Sequence, residues 1–247
     1  METSDNQREI TCILSPLLVN TLRKEGPVIS VIVDILRATT TICTAVYYGA
    51  EIIPVATLKE VNDYRQQGFP IAGERLEKGL EFADFGNSAL EFMTEKVRGR
   101  KIVHSSTNGT RTMMKVLQTS PEELLVGSFS NIDALTDYIA ERDCNVEIVC
   151  SGWRGNFCLE DTMFAGFLAQ KLMDRGFMTK DDSVFAALML RNEAQKDMSA
   201  FLEKAAHIHK LRRHKLDDVF PYTFTWNTCP IVPKLVLDNG RWEIHKA

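Results

Sequence analysis

Residues 28–41, VISVIVDILRATTT, decide how this chain is read. VISVIVDI is a continuous β-branched run, the pattern of a strand buried on both faces. LRATTT then ends the run with Arg37 and a threonine triplet. Residues 38–48 carry helical spacing and stop at Gly49. The same change recurs at KIVHSS into TNGT (101–110), ELLVGSF into SNIDAL (123–135) and VEIVCSG into WRGNFCLEDT (146–162). Each junction puts hydroxyls, amides and free backbone N–H groups at the carboxyl end of a strand and the start of a helix. Open α/β sheets bind ligands there, and anions above all. Arg37, Arg75 and Arg154 lie near these junctions, so a small polyanion is the expected ligand.

Outward from that core, 9–19 (EITCILSPLLV), 51–56 (EIIPVA) and 69–76 (FPIAGERL) read as further strands. Pro54 argues for an edge or a strand end. Residues 58–68, 88–99, 131–143 and 160–176 read as helices, and 183–213, free of glycine and proline, as one long helical region. Residues 77–88 form a loop rich in glycine and acid. Asp238, Asn239 and Gly240 separate two alternating runs, a hairpin signal. Alternating strands and helices give an α/β class: three layers, α/β/α, around a mixed, largely parallel sheet. The 247 residues suffice for a single unit, or for two lobes of about 1–120 and 121–247 with the site between them.

A net charge of −4 leaves no global field to steer nucleic acid, so an anion must be held locally. No stretch approaches a membrane span, and the first residues lack the pattern of a signal peptide, so a cytoplasmic location is expected. The six cysteines include no CxxC pair and read as small buried residues. The apolar last helices would permit a homodimer.

Several positions carry candidate chemistry, each with a plainer alternative. Asp34, at the end of the most apolar strand, can ligate a metal or act as a base; equally, it and Thr39 to Thr41 can simply cap a helix. Glu74 and Arg75 follow a strand and can form a structural ion pair. Asn87 lies in DFGNS, a ligand loop or a helix cap. Thr107, Asn108, Gly109 and Thr110 pack hydroxyls and an amide around one glycine, suited to wrapping an oxyanion. Ser128 and Asn131 repeat the idea more weakly. Ser151 and Arg154 follow Cys150, but the arginine a thiol phosphatase needs six residues after its cysteine is replaced by Asn156. The Asp-x-Asp of dehalogenase-type phosphatases fails at Leu36. Glu160 and Asp161 suit Mg²⁺, which takes carboxylate oxygens and water, or a helix N-terminus. His207 and His209, two apart on a helix, face different ways and read as solvated or capping groups rather than a zinc pair.

Taken together, VDILRATTTI, AGER, FADFGNS, STNGT, GSFSN and CSGWRGNFCLEDTMFAG resemble the 2-phosphosulfolactate phosphatase family over about residues 28–215. Ala89 stands where that family usually has proline, and His104 and Ser105 where threonines are common. The resemblance implies an α/β fold distinct from the common phosphatase folds. It also implies a Mg²⁺-dependent hydrolase converting 2-phospho-3-sulfolactate to 3-sulfolactate and phosphate, a step of coenzyme M biosynthesis and sulfonate metabolism. On that reading Asp34, Glu160 and Asp161 bind metal or activate water, with Glu74 a further base. Arg37, Arg75 and Arg154 clamp the anionic groups. Asn87, Thr107 to Thr110, Ser128, Asn131 and Ser151 add hydrogen bonds. The alternatives are a phosphatase for another 2-phospho-hydroxy acid and a non-catalytic binder of small organic anions.

Overall fold

In the computed structural model, which describes residues 7–20, 26–74 and 80–247, the VISVIV run is strand β2 (Val28–Val33). Its burial explains its composition. Ile29, Val31 and Val33 face one hydrophobic cluster and Ile32 faces another, so successive residues enter opposite layers. Each such side chain contributes on the order of 1.5–3 kcal/mol when fully buried.

The other strands are β1 (Ile10–Ile13), β3 (Glu51–Val55), β4 (Ile71–Gly73), β5 (Lys101–Ser105), β6 (Glu123–Gly127), β7 (Asn145–Cys150), β8 (Pro233–Asp238) and β9 (Arg241–Lys246). They form one sheet in the order β1-β7-β2-β6-β8-β9-β3-β5-β4. The strands β1, β7, β2 and β6 pair in parallel, as do β3, β5 and β4. The β8–β9 hairpin joins the two halves through antiparallel pairs on both sides. Its turn has Asn239 at φ 48° and Gly240 at φ 78°, the left-handed pair that a two-residue hairpin demands.

Helices cover both faces. On one side lie α4 (Ile132–Ala140), α5 (Leu159–Met173) and α6 (Asp182–Lys196), through Ile132, Leu135, Phe164, Leu168 and Val184. On the other, α1 (Ala38–Tyr47) and α3 (Gly109–Leu117) contribute Ile42, Val46, Met113 and Val116. Helix α2 (Leu58–Gln66) packs Val61 against β3, β4 and β5. The chain continues through α7 (Met198–Leu202), α8 (Ala206–Arg213) and α9 (Phe220–Thr223). No helix among the described residues is long and apolar enough to cross a membrane.

Three local expectations need correction. Pro54 lies in an interior strand rather than at a sheet edge; it is tolerated near the end of β3, where the pairing with β9 is confined to Ile52–Ile244, two residues earlier. The 183–213 region is three helices rather than one. Asp197, in extended conformation, accepts a hydrogen bond from Ala200 N and so starts a new helix, and Ala205 breaks the next. Residues 88–99 form two 3₁₀ turns, Ala89–Phe92 and Glu95–Val97.

The hairpin inverts strand sense, so β3, β5 and β4 run against β2, β6 and β7. A twist of roughly 20–25° per strand accumulates to about 100° or more between β2 and β5. Carboxyl ends of opposed strands therefore meet over the start of α1. Gly109, at the head of α3, touches this junction: a Cβ there would stand 2.9 Å from both the Asp34 Oδ2 and the Ala38 Cβ.

Candidate active site

The residues after β2, β4, β5 and β7 share one recess with α8. Asp34 is buried where α1 and α3 begin, and backbone N–H groups of Ala38 and Gly109 support its ionised form. Burial outweighs them and pushes its pKa up to about 6, with nearby Glu74 adding to the rise and His207 opposing it. Thr39 and Thr40 are spent on the turn itself. The Thr39 hydroxyl accepts from Asp34 N at 3.1 Å, and that of Thr40 donates to Ile35 O at 3.1 Å. None of the threonines caps α1, which starts after Arg37 without a side-chain cap bond, and the Thr41 hydroxyl is buried with no partner.

Asp161 is also buried, and its oxygens bind two loops. Oδ1 accepts from Ile35 N at 2.8 Å and Oδ2 from Gly152 N at 2.9 Å. Burial, then Asp34 and Glu160, hold its pKa well above the carboxylate range. Glu160 accepts or shares a hydrogen bond with His207 Nδ1 at 2.9 Å through Oε1. Its Oε2 is buried with no partner. Asp34, Glu160 and Asp161 do not converge tightly on one point. Among the described residues, the one trio of metal-type groups within 4.8 Å is Glu51, Glu243 and His245, already neutralised by Lys101 and Arg241.

Above these acids lies a cleft of about 490 Å³ lined by Arg37, Glu74, Asn87, Arg154, His207 and Lys210, among others. Arg37 is buried, and desolvation pulls its pKa down against Glu74, Asp34, Asp218 and Glu91. Its peptide bond to Leu36 is cis. Glu74 is held by Asn87 Nδ2 and the Thr107 hydroxyl, each at 3.4 Å. Behind Asn87, buried His104 contacts its Oδ1 at 3.2 Å; burial, with Arg37 nearby, lowers the His104 pKa to about 4. A second depression of about 510 Å³ continues from the cleft through shared Arg154 and Lys210, and reaches Thr107, Asn108 and Ser151. Asn108 fixes the rim by accepting from Arg154 N at 3.0 Å.

The loop after β7 is tightly wound. Gly152, Arg154 and Gly155 all have positive φ, and a Cβ on Gly152 would fall 2.0 Å from Asn156 O. This geometry points Arg154 to the cavity and stacks Trp153 on His207, ring centroids 5.6 Å apart and 12° from parallel.

Not every expected residue joins the recess. The Ser128 hydroxyl meets Ser130 at 2.5 Å, and its N–H donates to Asn131 Oδ1. Asn131 Nδ2 donates to Val126 O and Ile231 O, both at 3.1 Å. The pair closes the β6–α4 turn against the C-terminal segment and lines neither cavity. Thr110 is likewise consumed, exchanging bonds with Ser106. Arg75 lies outside the described residues.

His207 was expected to be solvated or capping; it is buried at the cleft wall beside Glu160. No local pattern announces it, because its partners are 47 and 54 residues away in sequence. Arg111 and Lys115, four apart on one face of α3, line the second depression; that spacing was available to be read. A larger depression of about 580 Å³, at the amino ends of β2, β6 and β7, is lined among the described residues by Glu122 and Glu147 and by no arginine or lysine.

Comparison with known proteins gives this geometry a context. Residues 15–238 match the protein family described as 2-phosphosulpholactate phosphatase. Similar proteins include the "Probable 2-phosphosulfolactate phosphatase" of Caldanaerobacter subterraneus subsp. tengcongensis, 33% identical over 210 residues, covering 83% of this chain and 86% of that one. The protein of the same description from Gloeobacter violaceus is 36% identical over 214 residues, covering 84% and 88%. That from Thermotoga petrophila is 39% identical over 144 residues, covering 58% and 62%.

Proposed function

The chain belongs to the 2-phosphosulpholactate phosphatase family, and on that premise we propose that it hydrolyses 2-phospho-3-sulfolactate to 3-sulfolactate and inorganic phosphate. The observation that carries the reading is the cleft itself: buried carboxylates beneath a wall that includes Arg37, Arg154 and Lys210. A substrate with phosphate, sulfonate and carboxylate carries about four negative charges near neutral pH. Convergent cations in a recess hold such a molecule far better than exposed ones, which water and salt screen.

The residues fit a divalent cation. Glu160 Oε2 is buried without a partner, and Asp34 is pushed up by burial and by Glu74, so both carboxylates gain from an added positive charge. Carboxylate oxygens with water are what Mg²⁺ selects. Asp34 and Glu160 would hold it, whereas Asp161, with both oxygens on backbone N–H groups, positions the loops around them. When bound, Mg²⁺ would polarise the phosphoryl oxygens and lower the pKa of a coordinated water.

The chain's own groups do the rest. Arg37 and Arg154 orient the phosphate and offset charge as it shifts to the leaving oxygen. Glu74, steadied by Asn87 and Thr107, accepts the proton of the attacking water. The Glu160–His207 pair fixes the imidazole at the wall.

Phosphate release from 2-phospho-3-sulfolactate by the purified protein tests the reading. Release with Mg²⁺ that stops on EDTA treatment and returns with added Mg²⁺ supports it. No release under either condition overturns the activity, and EDTA-insensitive release overturns the metal role.

A further inference from the structure

The recess is divided by charge. Among the described residues Glu74, Glu91 and Asp218 line the cleft, and Glu160 bonds its wall residue His207. The adjoining groove is lined, among the described residues, by Arg111, Lys115, Arg154 and Lys210 and by no carboxylate. Ser151 also lines it, fully buried, with a hydroxyl oxygen that has no hydrogen-bond partner. The start of α3, at Asn108, forms part of the same wall.

Two anions of different chemistry match these two halves. A phosphate ester under attack needs acids to hold a metal and to take a proton. A sulfonate takes no part in the reaction. It stays a monoanion at all ordinary pH, its oxygens are weak metal ligands, and it is best held by several N–H and O–H donors. Trp153 helps to preorganise those donors. The Arg154 guanidinium and the Lys210 ammonium lie 5.5 and 5.3 Å from its ring centroid, so two long side chains are steadied before a ligand arrives. The substrate carries its two groups on neighbouring carbons, and the two halves share Arg154 and Lys210 as a common wall.

We propose, resting on the functional reading above, that the groove bounded by Arg111, Lys115, Ser151 and Trp153 seats the substrate's sulfonate and so selects sulfonated over plain phosphoesters. Neither Arg111 nor Lys115 lines the cleft; Lys115 lines the groove alone, whereas Arg111 also borders a small depression of about 70 Å³ that includes Glu74 and Thr107, so Lys115 separates selection from hydrolysis most cleanly.

The test compares wild type with Arg111→Gln, Lys115→Gln and the double variant at one low ionic strength. Kinetics are measured on 2-phospho-3-sulfolactate and on phospholactate, and 3-sulfolactate binding is followed by calorimetry. Each single variant should raise KM for the sulfonated substrate about fivefold, and the double variant more, with kcat within about twofold. On phospholactate kcat/KM should move less than about twofold, and 3-sulfolactate should bind correspondingly weaker. Equal losses on both substrates, or no loss on either, overturn the subsite. If wild type hydrolyses neither compound, the functional reading fails, and the calorimetry still judges the groove: 3-sulfolactate binding that ignores both substitutions overturns it.

Discussion

Glu160 and His207 form a buried hydrogen-bonded pair, 2.9 Å from Oε1 to Nδ1, that leaves Glu160 Oε2 without any partner. A carboxylate oxygen stranded in this way is costly unless something arrives to use it. In this account a cation does, while the other oxygen holds the imidazole in place. Glu160→Gln keeps the shape and removes the charge. It should lower kcat/KM by about a hundredfold or more, with circular dichroism unchanged, and should abolish the response to added Mg²⁺. Near wild-type activity in the variant would rule Glu160 out of the machinery.

Asp34 sets a pH dependence of stability with a definite sign. Its pKa rises from 3.8 when unfolded to about 6 when folded. Below 3.8 both states are protonated and nothing is lost. As pH climbs from there to about 6, the unfolded chain releases a proton that the folded one retains, so stability falls, and it stays lower above 6. In metal-free protein Asp34→Asn should therefore gain on wild type across this window, by on the order of 1–3 kcal/mol, while losing activity. His104, held near 4, works the other way: stability drops as pH falls from 6.5. Only the difference between the variant and wild-type denaturation curves isolates Asp34. A flat difference contradicts the assignment.

The β7 loop depends on Gly152. A methyl group there would lie 2.0 Å from Asn156 O, a clash with backbone, at a φ of 60° that side chains rarely adopt. Gly152→Ala should displace Arg154 and Trp153 together, with KM raised about tenfold or more and the Tm lowered. Unaltered kinetics would show that the loop's winding is irrelevant to the site.

Asn131 separates a structural from a ligand-binding amide. Asn131→Ala removes two donor bonds and one acceptor bond from a buried turn, and should cost about 1–3 kcal/mol in urea denaturation. KM should stay within about twofold. A large rise in KM with intact stability would return Asn131 to the binding site.

These cases mark what the residues reveal in isolation. The strands and their polar ends were legible because burial on both faces demands runs such as VISVIV, and a turn such as Asp238-Asn239-Gly240 leaves few alternatives. Asp34, Glu74, Asn87, Asn108 and Arg154 do gather around one recess, since each sits where a strand ends. Ser128 and Asn131 sit at such an end too, but the β8 approach uses their hydrogen bonds internally. His207 and Lys210 were illegible for the opposite reason: α8 reaches the site only through the tertiary fold, after Asp197 and Ala205 have broken a region that reads as one helix.

The most direct test of the central claim is where the phosphate sits. A crystal structure of the Asp34→Asn protein soaked with Mg²⁺ and 2-phospho-3-sulfolactate should show the phosphoryl group in the cleft between Arg37, Glu74 and His207, with the cation at Glu160. Phosphate bound instead at the amino ends of the strands, or a cation at Glu51, Glu243 and His245 with this cleft empty, would contradict the account.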